Sequence, residues 1–334
     1  MTVTPSELSP QEATRTTGES PAKTIEGRSL GQIALARLRR DKVAMISLVF
    51  IVLILLAAIC APLITRLVGV DPYVFYTDKI DVNGGGKPYG FAGGMSWEHP
   101  FGVEPGTGRD IFARLLYGAR ISLMIALCAT LVSVTLGTIL GSMAGYFGGR
   151  VDSVISRTMD LLLAFPQLLL LIALTPVLTD FLTRIGFPAG NVSRVLYLIL
   201  VIGFFGWPYF GRIIRGQVLS LREREFVDAA RSLGAGSAHV IFKQLLPNLW
   251  ASILVFATLI IPSYIGTEAA LSFLGVGVIP PTPTWGSMLG DSVNYVFMDK
   301  AYLIIPGTAL FLVVLFFNLF GDGLRDALDP KTGR

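Results

Sequence analysis

Charge is scarce in this chain. Lys, Arg, Asp and Glu make up 15% of its 334 residues, against 52% hydrophobic residues and a mean hydropathy of +0.64. That balance excludes an ordinary soluble domain and makes a multi-spanning membrane protein the first class to test. Histidine and cysteine are nearly missing, with two of each. Neither His99 nor His239 has a cysteine or paired acid near it in sequence, so no zinc spacing or histidine-based triad is present. Cys60 and Cys128 sit inside apolar runs, where buried packing is expected and no disulfide framework is indicated. The phosphate-binding pattern Gly-x-x-x-x-Gly-Lys-Ser/Thr is also lacking, because Gly86-Lys87 is followed by Pro88. No catalytic residue, metal ligand or bound cofactor is therefore assigned to the chain.

Long apolar runs are abundant. A bilayer core about 30 Å thick needs roughly 20 apolar residues per helical span. Six stretches suit that: Val43 to Ile64, Ile121 to Gly149, Leu161 to Thr179, Val195 to Gly211, Leu245 to Thr267 and Ala301 to Gly321. Open strands would leave backbone groups unpaired in lipid, so all six are read as helices and the fold as an all-α membrane protein. Placing the N-terminus in the cytoplasm puts about 18 of the 27 basic residues inside, including Lys23, Arg37, Arg39, Arg40, Lys42, Arg150, Arg157, Arg325 and Lys331. Both termini are then cytoplasmic in a multi-pass protein of the cell (inner or plasma) membrane. The net charge of +4 reflects that topology, and no nucleic-acid partner is expected.

Composition divides the rest. Residues 1–28 are rich in Ser, Thr, Pro and Glu and are expected to be disordered. Residues 29–42 set Leu30, Ile33, Leu35 and Leu38 among basic residues, either as an interfacial amphipathic helix or as a positive-inside anchor. The first span, 43–64, is expected to stay as an anchor rather than be cleaved. An external segment, 66–119, contains the glycine-rich DVNGGGKPYGFAGG. A five-helix core covers 120–322, with a tail at 323–334. In the second span Gly137, Gly141 and Gly145 form a small-residue face suited to close helix packing. Pro166 breaks the hydrogen-bond ladder in the third span, as a gating hinge or only as a shaping device. Glu268, near the expected water-accessible outer end of the fifth span, is either a pathway acid or a structural hydrogen-bonding group.

One polar interruption stands out: EFVDAARSLGAGSAHVIFKQLLPN, residues 225–248. Phe226, Ala230 and Leu233 form an apolar stripe on a short helix, and Gly234 suits its left-handed terminus. Ser237 is placed to cap a second helix with Ala238, Ile241, Phe242 and Leu245 on one face, which Pro247 would end or bend. Such a pair either lies on lipid or docks a soluble partner.

Asp228-Ala229-Ala230, then Gly234, then Leu246-Pro247 thirteen residues beyond that glycine, resemble the EAA loop of ATP-binding cassette importer permeases. EAALSFLGVGVIPPTPTWGSML (268–289) and HPFG...GRDIFARLLYGARISL (99–123) are similar to segments of the dipeptide, oligopeptide and nickel branch, in particular its C-type permease. The resemblance spans residues 30–330. It implies a type I importer permease fold with cytoplasmic coupling helices, in which Glu225, Asp228, Ala229, Ala230, Gly234, Leu246 and Pro247 contact an ATPase. It also implies a second homologous permease, two ATPase subunits holding ATP and Mg, and an extracellular or periplasmic solute-binding protein. Asp228 stands where that family usually has Glu, and Val103-Glu104 where Thr-Asp is common. The rival expectation is a gradient-driven secondary transporter or channel, which would carry ionisable groups near the midplane.

Overall fold

In a computed structural model the described residues are 30–329. The expected disordered stretch 1–28 and the last five residues of the tail lie outside them. Six helices are long and apolar enough to cross a membrane. The chain runs through α1 (Leu30–Leu38), α2 (Lys42–Ile59), α3 (Ala61–Val68), α4 (Ile111–Phe147), α5 (Gly149–Ala164), α6 (Gln167–Arg184) and α7 (Asn191–Leu221). It continues with α8 (Glu225–Ser232), α9 (Ser237–His239), a π-helical stretch (Val240–Leu245), α10 (Leu246–Phe273), α11 (Trp285–Val293) and α12 (Ala301–Leu328).

Several boundaries differ from the sequence reading for physical reasons. The first span stops at Ile59, because Pro62 has no N–H to continue the ladder and opens α3 instead. The second begins at Ile111, so the end of the expected external segment is already helical. Asp110 starts it by accepting a hydrogen bond from the Ala113 N–H at 2.6 Å. At 37 residues α4 is about 55 Å long, well beyond a bilayer core. The third span divides at Phe165-Pro166: both residues are extended, α5 ends before them and α6 starts after them. The fourth and sixth continue past their expected ends, through Arg212 and Arg215 in α7 and Arg325 in α12. Within 29–42 the helix α1 lies against α12, burying Ala34 and Leu38, and Leu38 clusters with Ala44 and Ala327. Cys60 and Cys128 are half-buried rather than sealed in the core.

The centre of the bundle is the seam between α4 and α7. Gly137, Gly141 and Gly145 all turn toward α7. A Cβ on Gly141 would lie 2.5 Å from the Gly211 carbonyl oxygen, and one on Gly137 2.9 Å from the Gly211 nitrogen. α7 answers with Gly203, where a Cβ would lie 2.8 Å from the Ala129 carbonyl oxygen. Small residues at helical spacing thus let two backbones meet directly, which gives dispersion contact where lipid supplies no hydrophobic drive. α10 closes over this pair through Ile260, Tyr264 and Ile265, and α2 and α12 flank it, with Phe50 stacked on Phe316 at 4.2 Å. The ends that the charge bias leads one to expect outside carry an irregular cap, the outer cap. It holds a two-stranded antiparallel ladder, Ile80–Asp81 with Lys87–Pro88, and the capping-boxed α11.

Replacing Gly141 with Leu is expected to destabilise the detergent-solubilised protein by about 1–3 kcal/mol through overpacking, read as a lowered thermal midpoint. Gly216, whose Cβ would meet nothing within 4 Å, is the matched control: Gly216→Ala should leave the midpoint unchanged or raise it.

Candidate functional site

The polar interruption folds as two short helices joined by a glycine turn. Gly234 has φ +84°, the left-handed geometry expected of it. Its N–H donates to the Arg231 carbonyl at 2.9 Å, and the Ala235 N–H donates to the Ala230 carbonyl at 3.0 Å. Together these form a Schellman motif that satisfies the last carbonyls of α8. Ser237 is not a cap: it is the first residue of α9, and no side chain caps that helix.

This segment is held to the rest of the chain by a second face, apart from the stripe expected to meet lipid or a partner. Val227 is the fully buried residue of α8, and it clusters with Val240, Ile241, Leu245 and Leu249 and with Phe210, Ile214 and Val218 of α7. Phe226 and Phe242 are exposed, and Leu233 is 89% exposed. The expected stripe of Phe226, Ala230 and Leu233 is real as periodicity but points away from the chain's own core. Likewise Ile241 and Leu245 are buried, while Ala238 and Phe242 are not. Glu225, Asp228 and Ala229 are exposed, Ala230 is half-buried, and Asp228 makes only a long 3.6 Å pairing with Arg231. Arg231 in turn lies over the Tyr146 ring at 5.2 Å.

Pro247 does not end the second helix. A single helical rod from Ser237 to Phe273 carries the segment into the fifth span. The π-helical stretch just before Pro247 widens the ladder where the proline removes a donor. The same end of the bundle is braced by arginines of α7. Arg215 grips Asp152 of α5 with two bonds of 2.5 and 2.7 Å, Arg212 meets Asp160 at 2.6 Å, and Arg222 donates to the Gly145 carbonyl at 3.0 Å. The Arg215 hydrogen bonds hold the Asp152 carboxyl below the usual range. Its stabilising contribution is thus complete above the ordinary aspartate pKa of about 3.9 and is lost as pH falls below that value.

Glu268 is not water-accessible. It is 0% exposed, and its Oε1 accepts from Ser272 Oγ at 2.7 Å. It belongs to a knot tying α10 to α4 and α11: Trp285 donates from its backbone N to Ser122 Oγ and from Nε1 to the Leu115 carbonyl. Pro166, by contrast, is exposed, between Leu163 and Gln167.

The outer cap contains a charge network that the sequence reading did not single out. Glu104, 1% exposed, accepts from Arg109 Nε at 2.8 Å, Thr107 Oγ1 at 3.0 Å and the Tyr302 hydroxyl at 2.9 Å, and it pairs with Arg114 Nε. Beside it Asp110 meets His99 Nδ1 at 2.8 Å, and burial pushes the Asp110 carboxyl up. The available signal was Arg114: a basic residue in the first turn of an apolar helix needs an acid partner.

A family model described as binding-protein-dependent transport system inner membrane component matches residues 137–334, more than half of the chain. The chain belongs to this family of transporter membrane subunits. A second model, the N-terminal transmembrane domain of oligopeptide transport permease C, matches residues 29–83. The chain is 40% identical to the dipeptide transport system permease protein DppC of Alkalihalophilus pseudofirmus over 298 residues, 89% of each chain. It is 38% identical to the oligopeptide transport system permease protein OppC of Bacillus subtilis over 314 residues, 94% of each. It is 39% identical to the glutathione transport system permease protein GsiD of Escherichia coli O157:H7 over 88% of each. Among solved structures, a chain of the MetNI methionine ABC transporter in an inward-facing conformation superposes with TM-score 0.52 at 17% identity. That match covers 66% of this chain and 98% of that one, and it is a likeness of fold.

Removing one member of a buried charge network strands the others. Glu104→Ala is expected to destabilise the protein by about 3–5 kcal/mol, seen as a lowered thermal midpoint, whereas Glu98→Ala at an exposed pair should shift it little.

Proposed function

We propose that this chain is one permease subunit of an ATP-driven importer of peptides. It pairs with a second, homologous permease to enclose the pathway. Two ATPase subunits bind ATP and Mg, and one of them docks on residues 225–248. A solute-binding protein delivers cargo to the outer cap. Both chain ends and the 225–248 segment face the cytoplasm, in agreement with the excess of basic residues there.

The observation that carries this reading is the two-faced coupling segment. One face, around Val227, holds α8 against α7, while Phe226, Leu233 and Phe242 stay uncovered beside exposed Glu225 and Asp228. An apolar face rimmed by acids at the end of a membrane bundle suits a soluble protein partner better than lipid. Because α9 continues through the π-helical stretch into α10, a displacement of the docked partner is passed along one rod to the membrane core. Peptide cargo is supported by the dipeptide, oligopeptide and glutathione permeases to which the chain is similar.

Leu233→Asp, at an exposed position, should leave membrane insertion and yield unchanged while abolishing co-purification of the ATPase subunits and lowering ATP-dependent peptide uptake at least ten-fold. Gly234→Val, which forces a branched side chain into the left-handed region, should do the same by displacing α8. Normal uptake with intact co-purification in both variants would refute docking at this segment.

A further inference from the structure

Three clefts of similar size are among those that open on the bundle, and two of them differ sharply in chemistry. One, about 480 Å³, lies between α4, α6 and α7 and is walled by Val132, Leu136, Leu174, Leu178, Phe181 and Phe204. Nothing polar in that wall would suffer in lipid. The other, also about 480 Å³, lies between α6, α7, α10 and α12 and places Gln167, Tyr209, Ser263 and Arg325 among its apolar residues. An amide, a phenol, a hydroxyl and a guanidinium turned to hydrocarbon would each be unfavourable.

The backbone at this second cleft makes the same demand independently. Phe165 and Pro166 are extended and exposed, and Leu163 and Gln167 on either side of the break line the cleft. No side chain caps the first turn of α6, so its leading N–H groups and the last carbonyls of α5 need partners. Non-helical backbone at membrane depth is tolerated only inside protein or along a water-filled cavity. Opposite the break, the level is that of Gly206 and Tyr209, midway along the 31-residue α7.

The cleft continues toward the coupling end. Ser252 and Phe256 of α10 and Arg325 of α12 line a smaller extension of about 220 Å³, with Phe256 and Arg325 shared between the two spaces. Ser252, Phe256, Leu259 and Ser263 recur at helical spacing, so one stripe of α10 forms the floor throughout. Arg325 is exposed and forms no ion pair with another described residue.

We propose that this groove, from the Phe165-Pro166 break past Gln167, Tyr209 and Ser263 to Arg325, is the water-filled wall that the chain contributes to the translocation pathway. At its inner mouth the Arg325 guanidinium shares the lining with the Asp329 carboxylate, so both signs of charge meet the cargo there. The inference rests on the permease reading and names the residues on which that reading is silent. It also separates Pro166, which borders the groove, from Glu268, which is sealed away from it.

The test uses the whole importer in membrane vesicles, with Cys60 and Cys128 replaced by Ala and one new cysteine at a time. A charged, membrane-impermeant thiol reagent should modify Gln167→Cys and Ser263→Cys at least ten-fold faster than Leu174→Cys and Phe204→Cys in the apolar cleft. Equal rates, or the reverse order, would overturn the assignment. At Ser252→Cys, adding Arg325→Gln should reduce the ratio of anionic to cationic reagent rates at least three-fold while Arg325→Lys retains it. An unchanged ratio with Arg325→Gln would remove Arg325 from the pathway. Co-purification of the partner subunits is recorded for each variant, so a failure of the groove is distinguishable from a failure of the permease reading.

Discussion

The architecture depends on the close approach of α4 to α7. A 37-residue and a 31-residue helix meet at glycines, each seated against the backbone and side chains of the other helix. In water such a contact would be supplemented by hydrophobic drive; in lipid it must rely on fit. Everything with a mechanical role is fastened to this pair. α5 is clamped to α7 by Arg212 and Arg215, α10 closes over both helices, and the 225–248 segment folds back onto the far end of α7. The seam is thus the common frame that supports α5, α10 and the 225–248 segment.

The two ends of that frame differ in kind. At the outer end, buried ions and a dense set of backbone turns join the starts of α4 and α12 through Glu104. At the other end a buried apolar cluster around Val227 and the part-buried Arg215–Asp152 pair hold a segment whose outer apolar face is bare. The 225–248 segment leads into a helical rod that is continuous from Ser237 to Phe273.

Much of this was legible in the sequence, and the limits are instructive. The six spans follow from uncharged length alone, and the glycine triplet announced its packing role by spacing. Their ends did not, because Arg212, Arg215 and Arg325 lie within helices that continue beyond their apolar stretches. In the 225–248 segment Gly234 was readable, since a left-handed terminus needs that residue. The inward anchor Val227 was not, because only the packing of α7 singles it out. Glu268 looked accessible from neighbouring Pro262 and Gly266, yet Ser272, Trp285 and the α11 cap seal it. The network around Glu104 was invisible for a simpler reason: its last member is Tyr302, 198 residues away.

That separation bears on how the protein is made. Chain leaving the ribosome produces Glu104, Arg109 and Arg114 early, together with the helix they precede. The phenol that completes their shell belongs to the start of the last span. The same late segment supplies Asp299, whose Oδ1 accepts the Ala301 N–H at 3.0 Å at the foot of α12. Until that span is in place, the outer cap holds two arginines and a carboxylate with an open side. Closure of the cap is thus a terminal step of biogenesis, and a chain truncated before α12 lacks the Tyr302 hydroxyl that completes the Glu104 shell.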